Sequence, residues 1–257
     1  MDLHAALMLA GAGVIGGAIS TLVGGAAIVT WPALIAVGLS PPVATATNLL
    51  ALVPGNFIAA LYDRTQLPPV DRSLAGVLLA SFIGAAIGAV LLVVTPERTF
   101  AALVPGLLGF ATVLFAFAGR ISEWMRARAA AGDSPGAHRW VNGTTALTLV
   151  SIYGGYFGAG LGVLLLGILS IGTGGDYRSA NVMKNLLTSL NSLVATTLFM
   201  LHGMVSWPAT LAMMAGALVG SLIGARLAQI MPREAMRVVV VGAGALLTAV
   251  FAWRYWL

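Results

Sequence analysis

Six stretches of about twenty apolar residues constrain this 257-residue chain more than any other feature of its sequence. A helix needs about 20 apolar residues to cross the roughly 30 Å hydrocarbon core of a bilayer, and each stretch meets that length. Clusters of polar or helix-breaking residues separate them. The stretches are residues 43–62, 73–94, 99–118, 180–201, 208–229 and 234–256. They predict an all-α integral membrane protein.

Charged residues make up only 8% of the chain, whereas a soluble domain carries roughly 25%. So few charges cannot cover a water-soluble globule, which excludes soluble enzymes, disordered chains and nucleic-acid binders. We therefore expect the lipid bilayer as a partner and no nucleic acid. The sequence has no cysteine, and its three histidines lie far apart, so it predicts no metal site and no other cofactor.

Two further apolar regions, residues 3–38 and 140–172, are interrupted by glycine-rich breaks. The pieces that follow the breaks, residues 23–38 and 160–172, would be about 24 and 20 Å long as helices, which is too short to span a bilayer comfortably. Such pieces are typical of half-helices that line a cavity inside a membrane protein. We predict that each region forms a broken or re-entrant helical hairpin.

The two halves of the chain repeat one another. Asn48 matches Asn185 at an offset of 137 residues. At an offset of 136, a second set of matches pairs Gly84, Gly88 and Pro96 with Gly220, Gly224 and Pro232. Each half is therefore predicted to be a broken hairpin followed by three transmembrane helices. The predicted division is a first repeat over residues 1–118, a cytoplasmic linker loop over 119–139 and a second repeat over 140–257.

Basic residues favour opposite orientations for the two repeats. If each hairpin enters and leaves on one side, eleven basic residues share one face and two lie on the other; if each hairpin crosses once, the ratio is seven to six. Positive residues concentrate in cytoplasmic loops, so we predict inverted repeats with both termini outside. The shared face carries Arg64, Arg72, Arg120, Arg126, Arg128, Arg139, Arg178, Lys184, Arg226, Arg233 and Arg237. Inverted repeats with broken helices are typical of secondary transporters.

The breaks are the first candidates for a binding site. In transporters of this architecture the substrate binds near the midplane, where half-helix ends meet. A helix N-terminus favours an anion because its unpaired N–H groups and its dipole carry partial positive charge. The predicted binding residues are Ser20, Thr21, Gly24 and Gly25 in the first break and Tyr156, Gly158 and Gly160 in the second. Alternatively, these glycines only allow helices to cross closely.

A polar stripe follows each broken hairpin. Amides and a cation within an apolar helix are unfavourable unless they face protein or a water-filled cavity. The first stripe comprises Thr45, Asn48 and Asn56, and the second comprises Asn181, Lys184, Asn185, Thr188, Asn191 and Ser192. From these stripes we predict Thr45, Asn48, Lys184, Asn185 and Thr188 as binding residues. Hydrogen bonding between helices is the alternative, and it stays equally open for Asn56 and Asn191.

Lys184, the only lysine of the chain, has two interpretations. Its side chain either snorkels to the cytoplasmic surface or attracts an anion to an inner gate. Two charged pairs, Asp63-Arg64 and Asp71-Arg72, lie at the inner ends of two predicted helices. They are predicted to be interfacial anchors and local ion pairs, with a role in gating as the alternative. Tryptophans such as Trp31 and Trp207 lie near predicted segment ends, where aromatic belts occur. The glycines that repeat along the later helices predict close packing within one chain.

Four sets of residues match motifs of one family of membrane proteins. They are Pro41–Asn48 with Pro54-Gly55 and Tyr62–Arg64; Thr95–Arg98; Tyr153–Gly160; and Met183–Asn185 running to Asn191, Phe199, Gly203 and Trp207. Together they resemble the sulfite exporter TauE/SafE family, and the resemblance covers nearly the whole chain. It implies transport of small sulfur-containing anions, such as sulfite, sulfonates or sulfoacetate, by a secondary mechanism.

We therefore predict a multi-pass protein of the bacterial inner membrane that moves a small anion by alternating access. An anion channel that uses the same half-helix site is the alternative. An enzyme is not predicted, because catalysis would need paired groups at membrane depth and the acids cluster at segment ends. A proton is the candidate coupling ion. An oligomer is compatible with the sequence but is not indicated by it.

Overall fold

The computed structural model describes residues 1–22, 24–68, 72–130, 136–172, 177–227, 241–242, 245–246 and 248–253. Within these ranges the chain forms helices joined by short connections. The helices are α1 (Leu3–Leu22), α2 (Ala27–Ala36), α3 (Pro41–Tyr62), α4 (Arg72–Val94), α5 (Glu97–Ala130), α6 (Gly136–Tyr156), α7 (Leu161–Gly172), α8 (Tyr177–Leu201) and α9 (Trp207–Leu227). A 3₁₀ turn, Arg64–Gln66, follows α3.

Five helices of the described part are long and apolar enough to cross a membrane, namely α1, α3, α4, α9 and residues Glu97–Leu114 of α5. The prediction of an all-α integral membrane protein is thereby confirmed. Helix α8 is 25 residues long, but its polar stripe makes it less apolar than these five. Its predicted span stays a prediction, and the predicted span over 234–256 lies mostly outside the described residues.

Both predicted breaks are present. The helices before them, α1 and α6, are the first arms of the two hairpins, and both end in the same way. The amide of Gly24 donates to the carbonyl of Ile19 (3.1 Å), and the amide of Gly158 donates to the carbonyl of Tyr153 (3.3 Å). Gly24 has φ +85° and Gly158 has φ +79°, the left-handed conformation that ends many helices and favours glycine. The glycines therefore stop α1 and α6 and turn the chain into α2 and α7.

The prediction of a loop over residues 119–139 is wrong, because the described residues of this segment are helical. Helix α5 continues to Ala130 and α6 begins at Gly136. Seven of the ten residues over 121–130 are alanine, arginine, glutamate or methionine, which have high helix propensity. The charged residues make the last part of α5 polar, but the helix continues through them. The division of the chain into repeats at this place stays a prediction.

Each half of the chain packs its first helix against a helix of the other half. The first arm of one half runs along the fourth helix of the other, so that α1 contacts α9 and α6 contacts α4. The two polar helices, α3 and α8, contact one another, and α3 also contacts α9 while α8 contacts α4. Such an exchange is what a two-fold relation between repeats produces. The inverted orientation of the repeats across the membrane stays a prediction.

Glycines bring the exchanged helices together. A Cβ at Gly220 would overlap the backbone of Val14 on α1, and a Cβ at Gly88 would overlap the backbone of Ile152 on α6. Small residues give membrane helices this close approach. The prediction that the repeated glycines pack within one chain is confirmed for these pairs.

Trp31 lies in the core instead of at the predicted membrane interface. Its side chain is 1% exposed, and its ring contacts Phe157 and Phe251 edge-on at 6.1 and 5.1 Å. The prediction for Trp31 is wrong because its ring faces the core of the helix bundle, although the end of α2 is exposed. Trp207 is exposed at the start of α9, where an interfacial tryptophan is expected.

Candidate functional site

The two breaks meet inside the bundle. Gly24 and Gly162 lie so close that a Cβ on either glycine would come within 2.5 Å of the other's Cα. Gly24 precedes α2 by three residues, and Gly162 is the second residue of α7. The predicted convergence of the two breaks is confirmed, because the segment just before α2 contacts the first turn of α7.

Lys184 is buried beside the first break. Its side chain is 1% exposed, and its ammonium Nζ donates to the carbonyl oxygens of Ser20 (3.0 Å) and Thr21 (3.3 Å). These carbonyls belong to the last turn of α1, where a helix carries partial negative charge. Snorkelling to the surface is therefore the wrong interpretation, because the carbonyls at the end of α1 hold the ammonium inside.

Five buried side-chain oxygens have no hydrogen-bond partner within the described residues, and three of them belong to predicted binding residues. These three are Oδ1 of Asn48, Oδ1 of Asn185 and Oγ1 of Thr188. Buried polar groups in proteins are nearly always paired, so these oxygens are available to a ligand or to water. Rotation of an asparagine amide by half a turn presents its N–H₂ group in place of its oxygen, so either asparagine can serve a donor or an acceptor.

The structure does not bring Asn48 and Asn185 to one point. Ser189 donates to the carbonyl of Val53 (3.4 Å), and Arg178 contacts Asp63, so α8 runs antiparallel to α3. Relative to Ser189 and Val53, the two asparagines lie toward opposite ends of the helix pair. Their separation along the helix axes is about 14 Å at 1.5 Å per residue. Asn48 and Asn185 therefore do not share one site, because residues at equivalent positions of the two repeats move apart when α3 and α8 pair in antiparallel.

The group around Lys184 is the stronger candidate. We call Lys184, Asn185, Thr188 and the carbonyls of Ser20 and Thr21 the lysine site. Asn185 follows Lys184 directly, and Thr188 lies one helical turn further along α8. Asn48 lies near the second break instead, since its neighbour Leu49 contacts Gly158.

Three predicted side chains are already used by the fold. The hydroxyl of Ser20 donates to Oδ1 of Asn56 (2.8 Å), and the hydroxyl of Thr21 donates to the carbonyl of Gly17 (2.9 Å). Oγ1 of Thr45 donates to the carbonyl of Pro41 (3.0 Å) and accepts the indole N–H of Trp31 (3.0 Å). Ser20 and Thr21 therefore contribute carbonyls to the lysine site, and Thr45 positions Trp31.

Asn56 and Asn191 connect helices. Asn56 accepts the Ser20 hydroxyl and so joins α3 to α1. Nδ2 of Asn191 donates to the carbonyl of Ser151 (3.0 Å) and joins α8 to α6. In each half, the polar helix is thus bonded to the first arm of its own hairpin. For these two residues the interhelical alternative is the one that the contacts support.

The other predicted break residues shape the backbone. Gly25 is buried beside Gly24, and Gly160 has φ +79°. The ring of Tyr156 packs edge-on against Phe100, with 5.5 Å between the ring centres. These residues hold the two breaks in place.

An ion pair that the sequence did not reveal joins the two polar helices. Nε and Nη2 of Arg178 lie 2.5 and 2.8 Å from the two carboxylate oxygens of Asp63. The prediction of local ion pairs is wrong for Asp63, whose partner lies 115 residues away. The pair connects the end of α3 to the start of α8, and Arg178 lies six residues before Lys184, about 9 Å along α8.

An open cavity lies at the opposite end of α3. Its volume is about 670 Å³, and its lining includes Ser40, Pro41, Glu97 and Arg98. The cavity includes none of the residues of the lysine site. Among the described residues, no group of three or more histidine, aspartate or glutamate side chains could hold a metal ion.

The chain matches the model of a known protein family. The family model described as "Sulfite exporter TauE/SafE" matches residues 9–251, nearly the whole chain. The match includes both breaks, both polar helices and the lysine site.

Several curated proteins are similar to this chain over most of its length. A "Probable membrane transporter protein" of Haemophilus influenzae is 26% identical over 235 residues, which are 90% of this chain and 88% of that protein. The "Probable membrane transporter protein YfcA" of Escherichia coli K12 is 27% identical over 91% of this chain and 84% of that protein. A Sinorhizobium "Probable membrane transporter protein ORF9" is 26% identical over 88% of this chain and 84% of that protein. No solved structure matches significantly.

Proposed function

This chain belongs to the sulfite exporter TauE/SafE family of membrane transporters, and from that premise we propose that it carries small sulfur-containing anions across the bacterial inner membrane. Sulfite, sulfonates and sulfoacetate are the candidate substrates. The proposed mechanism is secondary transport by alternating access. The helices that are apolar enough to cross a membrane support a multi-pass arrangement.

The observation that carries the proposal is the burial of Lys184 where a break meets a polar helix. Among the buried residues that the structure describes, Lys184 is the one with a charged side chain. An ammonium in a low-dielectric interior attracts an anion more strongly than the same group does in water. A positive charge, held at a helix break between two repeats, supports an anion as the substrate.

The lysine site also offers suitable donors to such an anion. An ammonium has three N–H donors, and Lys184 uses two of them on Ser20 and Thr21. The third N–H remains for a ligand oxygen. The Asn185 amide and the Thr188 hydroxyl provide further N–H and O–H donors, so the several oxygens of a sulfite or sulfonate group would each find a partner.

The contacts at the two ends of α3 support alternating access. At one end the ion pair between Asp63 and Arg178 ties the two halves together, and under the predicted topology this end is cytoplasmic. At the other end the chain is open, with a cavity that contains Arg98. We propose that the ion pair is part of the inner gate and that the cavity is an outer vestibule.

A flux assay tests the proposal. Purified protein in liposomes is given radiolabelled sulfite, methanesulfonate or sulfoacetate, with empty liposomes as the background. We expect saturable flux of at least one of these anions and faster uptake when unlabelled anion is present inside. If none moves above the background, the proposal is wrong. Electrical recordings distinguish a carrier from a channel, because a channel passes far more ions per second than a carrier. Single-channel currents would show that the protein is a channel.

A further inference from the structure

We propose that Lys184 binds the coupling proton, so that each anion crosses the membrane together with one proton. This inference rests on the proposed function and adds the coupling ion to it. Three observations support it: the amine of Lys184 is buried, it contacts two backbone carbonyls, and no carboxylate of the described part of the chain contacts it.

No described carboxylate contacts Lys184. Helix α8 packs against α3, α4, α6, α7 and the 3₁₀ turn, and the last turn of α1 contacts the amine directly. Helix α7 and that last turn have no titratable residue. The titratable side chains that the structure describes on these elements and at their ends are Tyr62, Asp63, Arg64, Arg72, Tyr153, Tyr156, Arg178 and His202.

Each of these groups is directed elsewhere. Asp63 is paired with Arg178, Tyr153 donates to the carbonyl of Ala159 (2.6 Å), and Tyr156 packs against Phe100. The remaining four are exposed to solvent at or next to helix ends, whereas Lys184 is buried. The charge on Lys184 is therefore not neutralised by a side chain of the described part.

The hydrogen bonds of Lys184 fit both protonation states of the amine. A neutral amine has two N–H donors and one lone pair, and the two carbonyls of Ser20 and Thr21 accept both donors. The ammonium satisfies the same two carbonyls and keeps one N–H for a ligand. The amine can therefore gain or lose a proton without breaking its contacts to α1.

A bound anion favours the charged state. A buried charge without a partner is unfavourable, and an anion at the lysine site supplies the missing negative charge. Binding of the proton and binding of the anion must then strengthen one another equally, as linkage requires. The cycle is R–NH₂ + H⁺ + A⁻ giving R–NH₃⁺ with A⁻ beside it; on release the N–H bond breaks, nitrogen keeps the electron pair, and proton and anion leave on the same side.

Arginine at this position separates binding from coupling. A guanidinium stays charged throughout, so Lys184→Arg should still bind the anion but should not release a proton. Lys184→Gln removes the charge and should bind poorly. Thr197→Ala, at an exposed position of the same helix, is the matched control.

The experiment uses labelled sulfite in liposomes with the four proteins, and empty liposomes give the passive leak. Exchange is measured at equal pH with unlabelled sulfite inside, and accumulation is measured with the outside made more acidic. In the wild type and in Thr197→Ala, we expect exchange and also accumulation up to about tenfold per pH unit, because coupled ligands share one free energy. Lys184→Arg should keep exchange and lose the response to the gradient, and Lys184→Gln should lose both.

Two results would overturn the inference while leaving the proposed function standing. One is wild-type exchange with accumulation that ignores the gradient, and the other is gradient-driven accumulation by Lys184→Arg, which would place the proton on sulfite itself. Absence of exchange for every anion in the wild type overturns the proposed function and this inference with it. If the arginine variant does not fold, proton uptake by detergent-purified wild type on addition of a transported anion decides, and no uptake at any pH tested overturns the inference.

Discussion

Gly24 and Gly162 contact one another across the two halves of the chain, and neither position has room for a side chain. The contact fixes the distance between the two breaks, so a change here is felt by both hairpins. The two glycines differ in backbone conformation. Gly24 has a positive φ, whereas Gly162 lies within α7, so Gly162 isolates the effect of space alone.

Gly162→Ala is expected to destabilise the protein by about 1–3 kcal/mol, which is typical of an overpacked core. The added methyl group would meet the backbone of Gly24 within 2.5 Å, and backbone cannot rotate away as a side chain can. The measurement is thermal unfolding in detergent, followed by tryptophan fluorescence. Gly76→Ala is the control, because nothing lies within 4 Å of a Cβ there and alanine favours a helix interior by up to about 1 kcal/mol. Equal stability of the two variants would contradict the contact.

The helices and the breaks could be predicted because their causes are local. About twenty apolar residues suffice to define a membrane helix. A glycine such as Gly24 or Gly158 stops a helix through its own backbone conformation. The extension of α5 to Ala130 does not follow from hydropathy, because residues of high helix propensity continue the helix through a charged segment.

The site could be predicted only in part, because its contacts connect distant positions. Lys184 occupies the second turn of its helix, where a lysine side chain can either snorkel to the surface or be buried. It is buried because it contacts the carbonyls of Ser20 and Thr21, which lie 164 and 163 residues away in the sequence. The repeat matched Asn48 with Asn185, but it could not show that antiparallel pairing moves them apart. Nothing in the sequence connects Asp63 with Arg178, because the two residues lie 115 positions apart.

The ion pair of Asp63 and Arg178 should contribute modestly to stability and should tolerate exchange of its charges. Asp63→Asn and Arg178→Gln are each expected to lower stability by up to about 1 kcal/mol, because the pair is partly exposed to water. The double variant Asp63→Arg with Arg178→Asp should recover part of that loss. A double-mutant cycle of unfolding free energies measures the coupling. Arg64→Gln, next to Asp63, is the control; a larger loss there would restore the prediction of a local pair.

Asn185→Ala should reduce transport without reducing stability. Its Oδ1 has no partner within the described residues, so the loss of this oxygen breaks no hydrogen bond there, whereas a lost bond to a charged ligand corresponds to about 1.5–3 kcal/mol. We expect the KM for sulfite to rise about tenfold or more, with an unchanged melting temperature. Asn56→Ala is the contrasting variant, because it leaves the buried hydroxyl of Ser20 unpaired and should destabilise the protein by about 1–3 kcal/mol.

A ligand that binds at the lysine site should stabilise the folded protein, and the stabilisation should depend on the charge of Lys184. At an anion concentration of about 100 times Kd, the gain is about 3 kcal/mol for one site, which raises the melting temperature measurably. The shift should persist in Lys184→Arg, which keeps a positive charge, and should vanish in Lys184→Gln. Chloride at the same ionic strength controls for screening, which acts on exposed charges and little on buried ones. An equal shift in Lys184→Gln would place the anion elsewhere, with Arg98 in the open cavity as the first position to test.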